Sequence, residues 1–240
     1  STIEAGSGAV AETKPASVYG TTTVIDSEET ETARANWVKE GDDWYYLLPD
    51  GSRNRQDLQF DNALYKFNWN GSLKTAQWVP NTGGGAYPVF CYDEETQFLF
   101  DQLNDEKRDL YFEEYPDREE DYSGDEKTQY DRYAGFLMDE KLNQAAAYRL
   151  EAALVNGYSG DAIPGEGTLK DYLGKISYRK NSSCRELYLR GREDADDAFD
   201  RLIGKTQDKY DSSGKRKDSL DYYRRIGMAH AEKDGEHYFM

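Results

Sequence analysis

"WYYLLPDGS" at 44–52 and "LYKFNWNGS" at 64–72 are one short phrase written twice at a fixed spacing. Aligned, Tyr45 meets Tyr65, Leu47 meets Phe67 and Gly51-Ser52 meets Gly71-Ser72. Before the glycine the matches fall at alternate positions, the period of a strand with one buried face. Each phrase then runs into a Gly turn, which makes the unit a β-hairpin, with Tyr45 on its core face and Trp44 on the opposite one. A lone two-stranded hairpin is marginal in water, and stacking on a copy of itself lets it bury that face. A worn third copy is expected at "VFCYDEETQFLF", residues 89–100.

Upstream, residues 1–34 are rich in Ser, Thr, Ala, Gly and Glu without apolar periodicity, the composition of a low-complexity linker. The opening Ser1 fits a chain from which a targeting segment has been removed. Residues 35–115 read as short aromatic strands separated by the turn signals "PDG", "WNG" and "PNTGGG", an all-β module. The stretch "EEYPDREEDYSGDEK", 113–127, carries eight acids against two bases, so a boundary is expected there, with 116–127 as an acidic linker.

From 128 to 240 the period changes. Leu142, Ala145, Ala146, Arg149, Leu150, Ala153 and Leu154 recur at helical spacing, with Gly157 as the stop. Ala195, Ala198, Phe199 and Leu202 predict a second helix, opened by Glu193 and Asp194 and closed by Gly204. "GTLKDYLGKI", 167–176, predicts a short one between them. The end reads as a hairpin turning at Asp234-Gly235, with Ala229, Ala231, Tyr238 and Met240 on one face and His230, Glu232 and His237 on the other. This second module is α+β, as is the chain as a whole.

A formal net charge of -17, from 47 acidic and 30 basic side chains, repels nucleic acid and anionic membrane surfaces. No run approaches the roughly 18 apolar residues of a membrane span. Two cysteines, Cys91 and Cys184, allow one bridge or two free thiols and make no metal or redox motif. P-loop, dinucleotide, zinc-protease and EF-hand signatures are absent, so no cofactor is expected. His230, Glu232 and His237 are the only local set able to share a cation, and an exposed hairpin face collects such residues without one.

Stacked hairpins bring rings of neighbouring units together, giving grooves walled by Trp37, Trp44, Tyr46, Tyr65, Trp69 and Trp78. Such grooves suit a quaternary ammonium or the flat face of a sugar, and the same rings also serve as packing between hairpins. "NWVKEGDDWYYLLPDGS" and "LYKFNWNGSLKTAQW" resemble the choline-binding and glucan-binding repeats of Gram-positive surface proteins. The resemblance implies a hairpin solenoid attached to wall polysaccharide or teichoic-acid choline, with one cage around Trp37, Trp44 and Tyr65. The chain departs from that pattern at Leu58, Leu64 and Ala76-Gln77.

"LMDEKLNQAAAYRLEA", "RELYLRG", "DADDAFDRLIG" and "IGMAHAEKDGEHYFM" resemble, in order, segments of the CAP superfamily of cysteine-rich secretory, antigen 5 and pathogenesis-related proteins. The resemblance implies an α-β-α sandwich with a cleft holding two His and two Glu. Only Glu186 stands at a matching position, as the sole catalytic candidate, and a paired structural carboxylate is the plainer role for it. With the family's histidines missing, no zinc ligand set or near-neutral base is expected in the cleft. The resulting expectation is an extracellular, wall-associated binding protein with a non-catalytic CAP-like domain, and a lipid or peptide as the alternative occupant of its cleft. The rival readings are a CAP-type hydrolase and a structural or adhesive surface protein.

Overall fold

Both copies of the repeated phrase fold into the same turn. In the first, Ser52 donates from N and Oγ to Asp50 Oδ1, Leu48 N donates to Ser52 O, and Gly51 N to Leu48 O. In the second, Ser72 donates from N and Oγ to Asn70 Oδ1, Asn68 N to Ser72 O, and Gly71 N to Asn68 O. Gly51 and Gly71 sit at φ 86 and 92, a left-handed conformation that a Cβ disfavours, which is why both copies write Gly there.

The structure is a computed structural model describing residues 36–60, 63–78, 94–118, 133–178, 183–206, 211–214 and 219–240. The low-complexity start, Cys91 and most of the expected acidic linker lie outside these residues. The first hairpin pairs β1 (Trp37–Glu40) with β2 (Asp43–Tyr46). Strands β3 (Leu58–Phe60), β4 (Ala63–Phe67) and β5 (Leu73–Trp78) follow as an antiparallel meander. An isolated bridge from Tyr45 to Ser72 joins the two copies.

Where a third copy was expected, the chain turns to helix. Residues 94–100 open α1 (Glu94–Glu114), so residues 35–115 are not all β. Its Leu99, Phe100, Leu103, Lys107, Tyr111 and Phe112 are buried, a one-face stripe that the aromatic letters masked.

Beyond the acidic stretch come β6 (Leu137–Asp139), α2 (Glu140–Asn156), β7 (Ala162–Ile163), β8 (Gly167–Thr168) and α3 (Leu169–Lys175). Then follow β9 (Leu189–Arg192), α4 (Ala195–Thr206), β10 (Arg225–Ile226), β11 (His230–Lys233) and β12 (Glu236–Phe239). The predicted helices and the terminal hairpin are all present, although α4 runs past Gly204 to Thr206. Asp139 caps α2 by accepting from Lys141 N and Leu142 N, and Gly157 ends it.

The strands on either side of residues 116–127 pair with each other. Thr75, Ala76 and Gln77 of β5 face Asp139, Met138 and Leu137 of β6, giving a five-stranded sheet of order β10-β6-β5-β4-β3. One core crosses the expected boundary, with Trp37, Trp44 and Tyr65 packed in the same cluster as Leu99, Phe136, Leu202 and Phe239. Asn104 of α1 accepts from Phe136 N at 2.7 Å, a further tie between the halves. The described parts of the two expected modules therefore share a sheet and a core. A composition shift marks a solvated connection, and it carries no information about whether the flanking strands pair across it.

The second sheet has the order β9-β12-β11. Its hairpin pairs Glu232 with His237 and His230 with Phe239, as the Asp234-Gly235 turn dictates. Ala229, Ala231, Tyr238 and Met240 pack with Ala146 and Leu150 of α2.

Candidate functional site

The rings expected to wall a groove have four fates. Trp37, Trp44 and Tyr65 are 7, 4 and 0 % exposed, inside the main core. Trp37 meets Tyr65 and Tyr46 edge-on at 5.1 and 5.3 Å and stacks on Phe67 at 5.8 Å. Tyr46 is half-buried, Trp69 is 84 % exposed at the tip of the second turn, and the Trp78 side chain lies outside the described residues. The expected Trp37, Trp44 and Tyr65 cage is thus a packed cluster, because these rings share one core with Leu99 and Leu103 of α1 and Leu202 of α4.

The expected sidedness of the first copy does not hold either, since both Trp44 and Tyr45 are buried. Trp44 joins the main core, while Tyr45 lies outside that cluster, buried beneath Arg53. The guanidinium carbon stands 3.7 Å above the Tyr45 ring, and Arg53 also bonds Glu40. Lys39 Nζ lies 5.8 Å from the Trp44 ring centre. The protein's own cations therefore occupy the cation–π positions that an ammonium ligand would take.

Glu186 lies in a buried network at the heart of this half. Its carboxylate accepts from Arg149 Nε at 2.5 Å and Nη2 at 2.9 Å and from the Tyr158 hydroxyl at 2.8 Å. The two side chains of the ion pair are 0 and 6 % exposed, and Arg149 Nη2 also donates to Gly167 O. The fork-shaped guanidinium satisfies both carboxylate oxygens, the arrangement a buried carboxylate requires. Burial pushes the Tyr158 phenol well up, and its hydrogen bond to Glu186 adds to that, so it stays a donor. Sequence reading foresaw a paired carboxylate, but Arg149 passed as a core position of α2. Its signal was a guanidinium at a position where the helix stripe calls for an apolar residue.

The two histidines of the chain bond each other, His230 Nε2 to His237 Nδ1 at 2.8 Å, with rings 18° from parallel. Glu232 stands 3.8 Å from the other nitrogen of His237. The imidazoles are turned to one another instead of converging with Glu232. Among the described residues no group of three or more His, Cys, Asp or Glu side chains is placed to hold a metal ion.

Beside Glu186 opens a cavity of about 360 Å³. Leu103, Leu142, Leu173, Leu202, Met228 and Phe239, from four helices, the loop before β11 and strand β12, line its apolar part. Glu186 and the free thiol of Cys184 lie at its wall; burial pushes that thiol's pKa up, away from reactive thiolate. A second polar tie, Asp139 accepting from the lining residues Tyr178 and Arg225 at 2.7 Å each, braces the wall. No helix among the described residues is long and apolar enough to cross a membrane.

Comparison with known proteins gives two matches. A family model described as "Putative cell wall binding repeat" matches residues 36–52. Among solved structures, an extracellular protein containing a SCP domain from Bacillus anthracis str. Ames is similar at a TM-score of 0.36 and 12 % identity, over 91 % of this chain and 72 % of that one. No curated protein matches. The β1–β2 hairpin with its Asp50-Gly51 turn is thus the part of this chain that is similar in sequence to a cell wall binding repeat.

Proposed function

We propose that this chain is an extracellular, wall-associated binding protein whose CAP-like half holds an apolar ligand, a lipid tail or the apolar side chains of a peptide, without catalysis. The observation that carries the ligand is the cavity of about 360 Å³ beside Glu186, within the size range of small-molecule sites and walled by leucines from four helices. Glu186 is spoken for by Arg149 and Tyr158, so its carboxylate serves as a structural ion pair at the cavity wall. Attachment to wall polysaccharide or choline-bearing teichoic acid is supported by the family match at 36–52 and by the exposed Trp69, the expected groove ring left open to stack on a ligand.

Titration of the full chain with a fluorescent single-chain fatty acid tests the cavity. Leu173→Phe, which narrows it by placing a ring in the space a chain would occupy, should weaken uptake about tenfold, equivalent to about 1.4 kcal/mol. Unchanged uptake would remove the cavity from the reading. Sedimentation with purified wall fragments tests attachment separately.

A further inference from the structure

We propose that the stacked pair Tyr148 and Tyr172, with the carboxylates of Asp42, Glu151 and Glu166 around it, is a binding site for an ammonium group carried by a wall polymer, a trimethylammonium or a primary amine. The proposal rests on the wall-association reading and places its cation contact away from the buried Trp37, Trp44 and Tyr65.

The site is assembled from four separate segments. Tyr148 and Glu151 stand on one face of α2, Tyr172 on α3, Glu166 in the turn from β7 to β8, and Asp42 in the turn of the first hairpin. The two rings are 5.0 Å apart and 21° from parallel. The Tyr148 hydroxyl lies 3.1 Å from each oxygen of Glu166, which fixes the ring, while 45 % of the residue remains open to solvent. Gln144, one turn earlier on α2, donates to Asp42 O at 2.7 Å and lies 3.2 Å from Asp43 Oδ1. That contact docks the wall-repeat hairpin beside the pair.

Charge complementarity names the occupant. Glu166 and Glu151 both act on the Tyr148 phenol, and Asp42 and Glu166 on Tyr172. Arg149, the cation felt by Tyr172, is fully buried and committed to Glu186. An exposed aromatic face beside several carboxylates is the arrangement that attracts a quaternary ammonium by cation–π and Coulomb terms together. A net charge of -17 adds to the local cation concentration. In the first hairpin Lys39 and Arg53 already fill the equivalent positions over Trp44 and Tyr45, whereas among the described residues no cation stands over Tyr148.

The test titrates the full chain with tetramethylammonium, choline, propylamine and the uncharged choline isostere 3,3-dimethylbutanol, following tyrosine ring resonances. The charged probes should shift Tyr148 and Tyr172 and bind several-fold more tightly than the isostere. The ranking of choline against propylamine identifies which ammonium the site prefers. Tyr148→Leu and Glu166→Gln should each weaken tetramethylammonium about two- to fivefold at unchanged melting temperature, while Trp69→Ala leaves it unaltered. If Tyr148→Leu disturbs the fold, Glu166→Gln and the ring shifts still decide. Equal binding of the isostere, no response at these rings, or response only to a neutral oligosaccharide would overturn the proposal. Loss of wall sedimentation with intact tetramethylammonium binding would instead overturn the wall reading and leave this site standing.

Discussion

The two copies of the repeated phrase make the same turn from different letters and then part company. Asp50 in one and Asn70 in the other accept from the following Ser, and Gly51 and Gly71 take the same left-handed conformation. At the preceding position Pro49 stands in the first copy and Trp69, 84 % exposed, in the second. On the strands Trp44 of the first copy and Tyr65 of the second both join the main core, although they hold different places in the phrase. The difference teaches that the repeat encodes a turn, while the fate of each ring is set by what covers the sheet.

The largest effect should come from truncating the core rings of both copies. Trp44→Ala and Tyr65→Ala should each cost about 3 to 5 kcal/mol in urea unfolding. A mild Trp44→Ala that instead lost wall binding would restore the open-cage view of the first copy.

The helix that stands where a third copy was expected gives the next largest effect. Burial, with Asp105 adding repulsion, raises the Asp101 carboxyl in α1 to about 7. A folded pKa raised above the unfolded value of 3.8 means that the native state binds the proton more tightly. Stability from this group is therefore fully present below about pH 4 and lost as pH rises through about 7, on the order of a few kcal/mol. Asp101→Asn should remove that part of the slope in melts between pH 4 and 8. A slope unchanged by the substitution would show that the carboxyl is not held protonated.

Replacing the turn glycines tests the copies directly. Gly51→Ala meets open space and should cost only the left-handed strain, about 1 kcal/mol. At Gly71 a Cβ would also stand 2.8 Å from Arg53 Cβ, so Gly71→Ala should cost more, about 2 kcal/mol or above. Equal losses would mean that the two copies do not press on each other through Arg53.

Smallest in stability is Trp69→Ala, expected within about 0.5 kcal/mol because the ring packs against little. Its readout is wall sedimentation, which should fall. If both stability and sedimentation are unmoved, the exposed ring has no part in attachment.

Much of the local structure was legible in the letters. The Gly-Ser turns, the helix from 142 to 154, the short helix at 167–176 and the register of the terminal hairpin each follow from short-range sterics and hydrogen bonding within a few residues. The 360 Å³ cavity was not legible, since its leucines lie in four helices that ordinary periodicity marks only as buried. Nor was the convergence of Asp42, Tyr148, Glu166 and Tyr172, whose spacing in the chain shows no pattern.

The sequence by itself determined the two Gly-Ser turns, the helices after residue 139 and the terminal hairpin, because positive φ, capping and period are properties of neighbouring residues; the helix at 94–114 it did not. Only the tertiary structure decided that β5 pairs with β6 across the acidic stretch and that Trp37, Trp44 and Tyr65 are sealed. It also decided that Glu186 is held by Arg149. Those outcomes depend on which distant surfaces exclude water from one another, and nothing local to a residue records what will finally cover it.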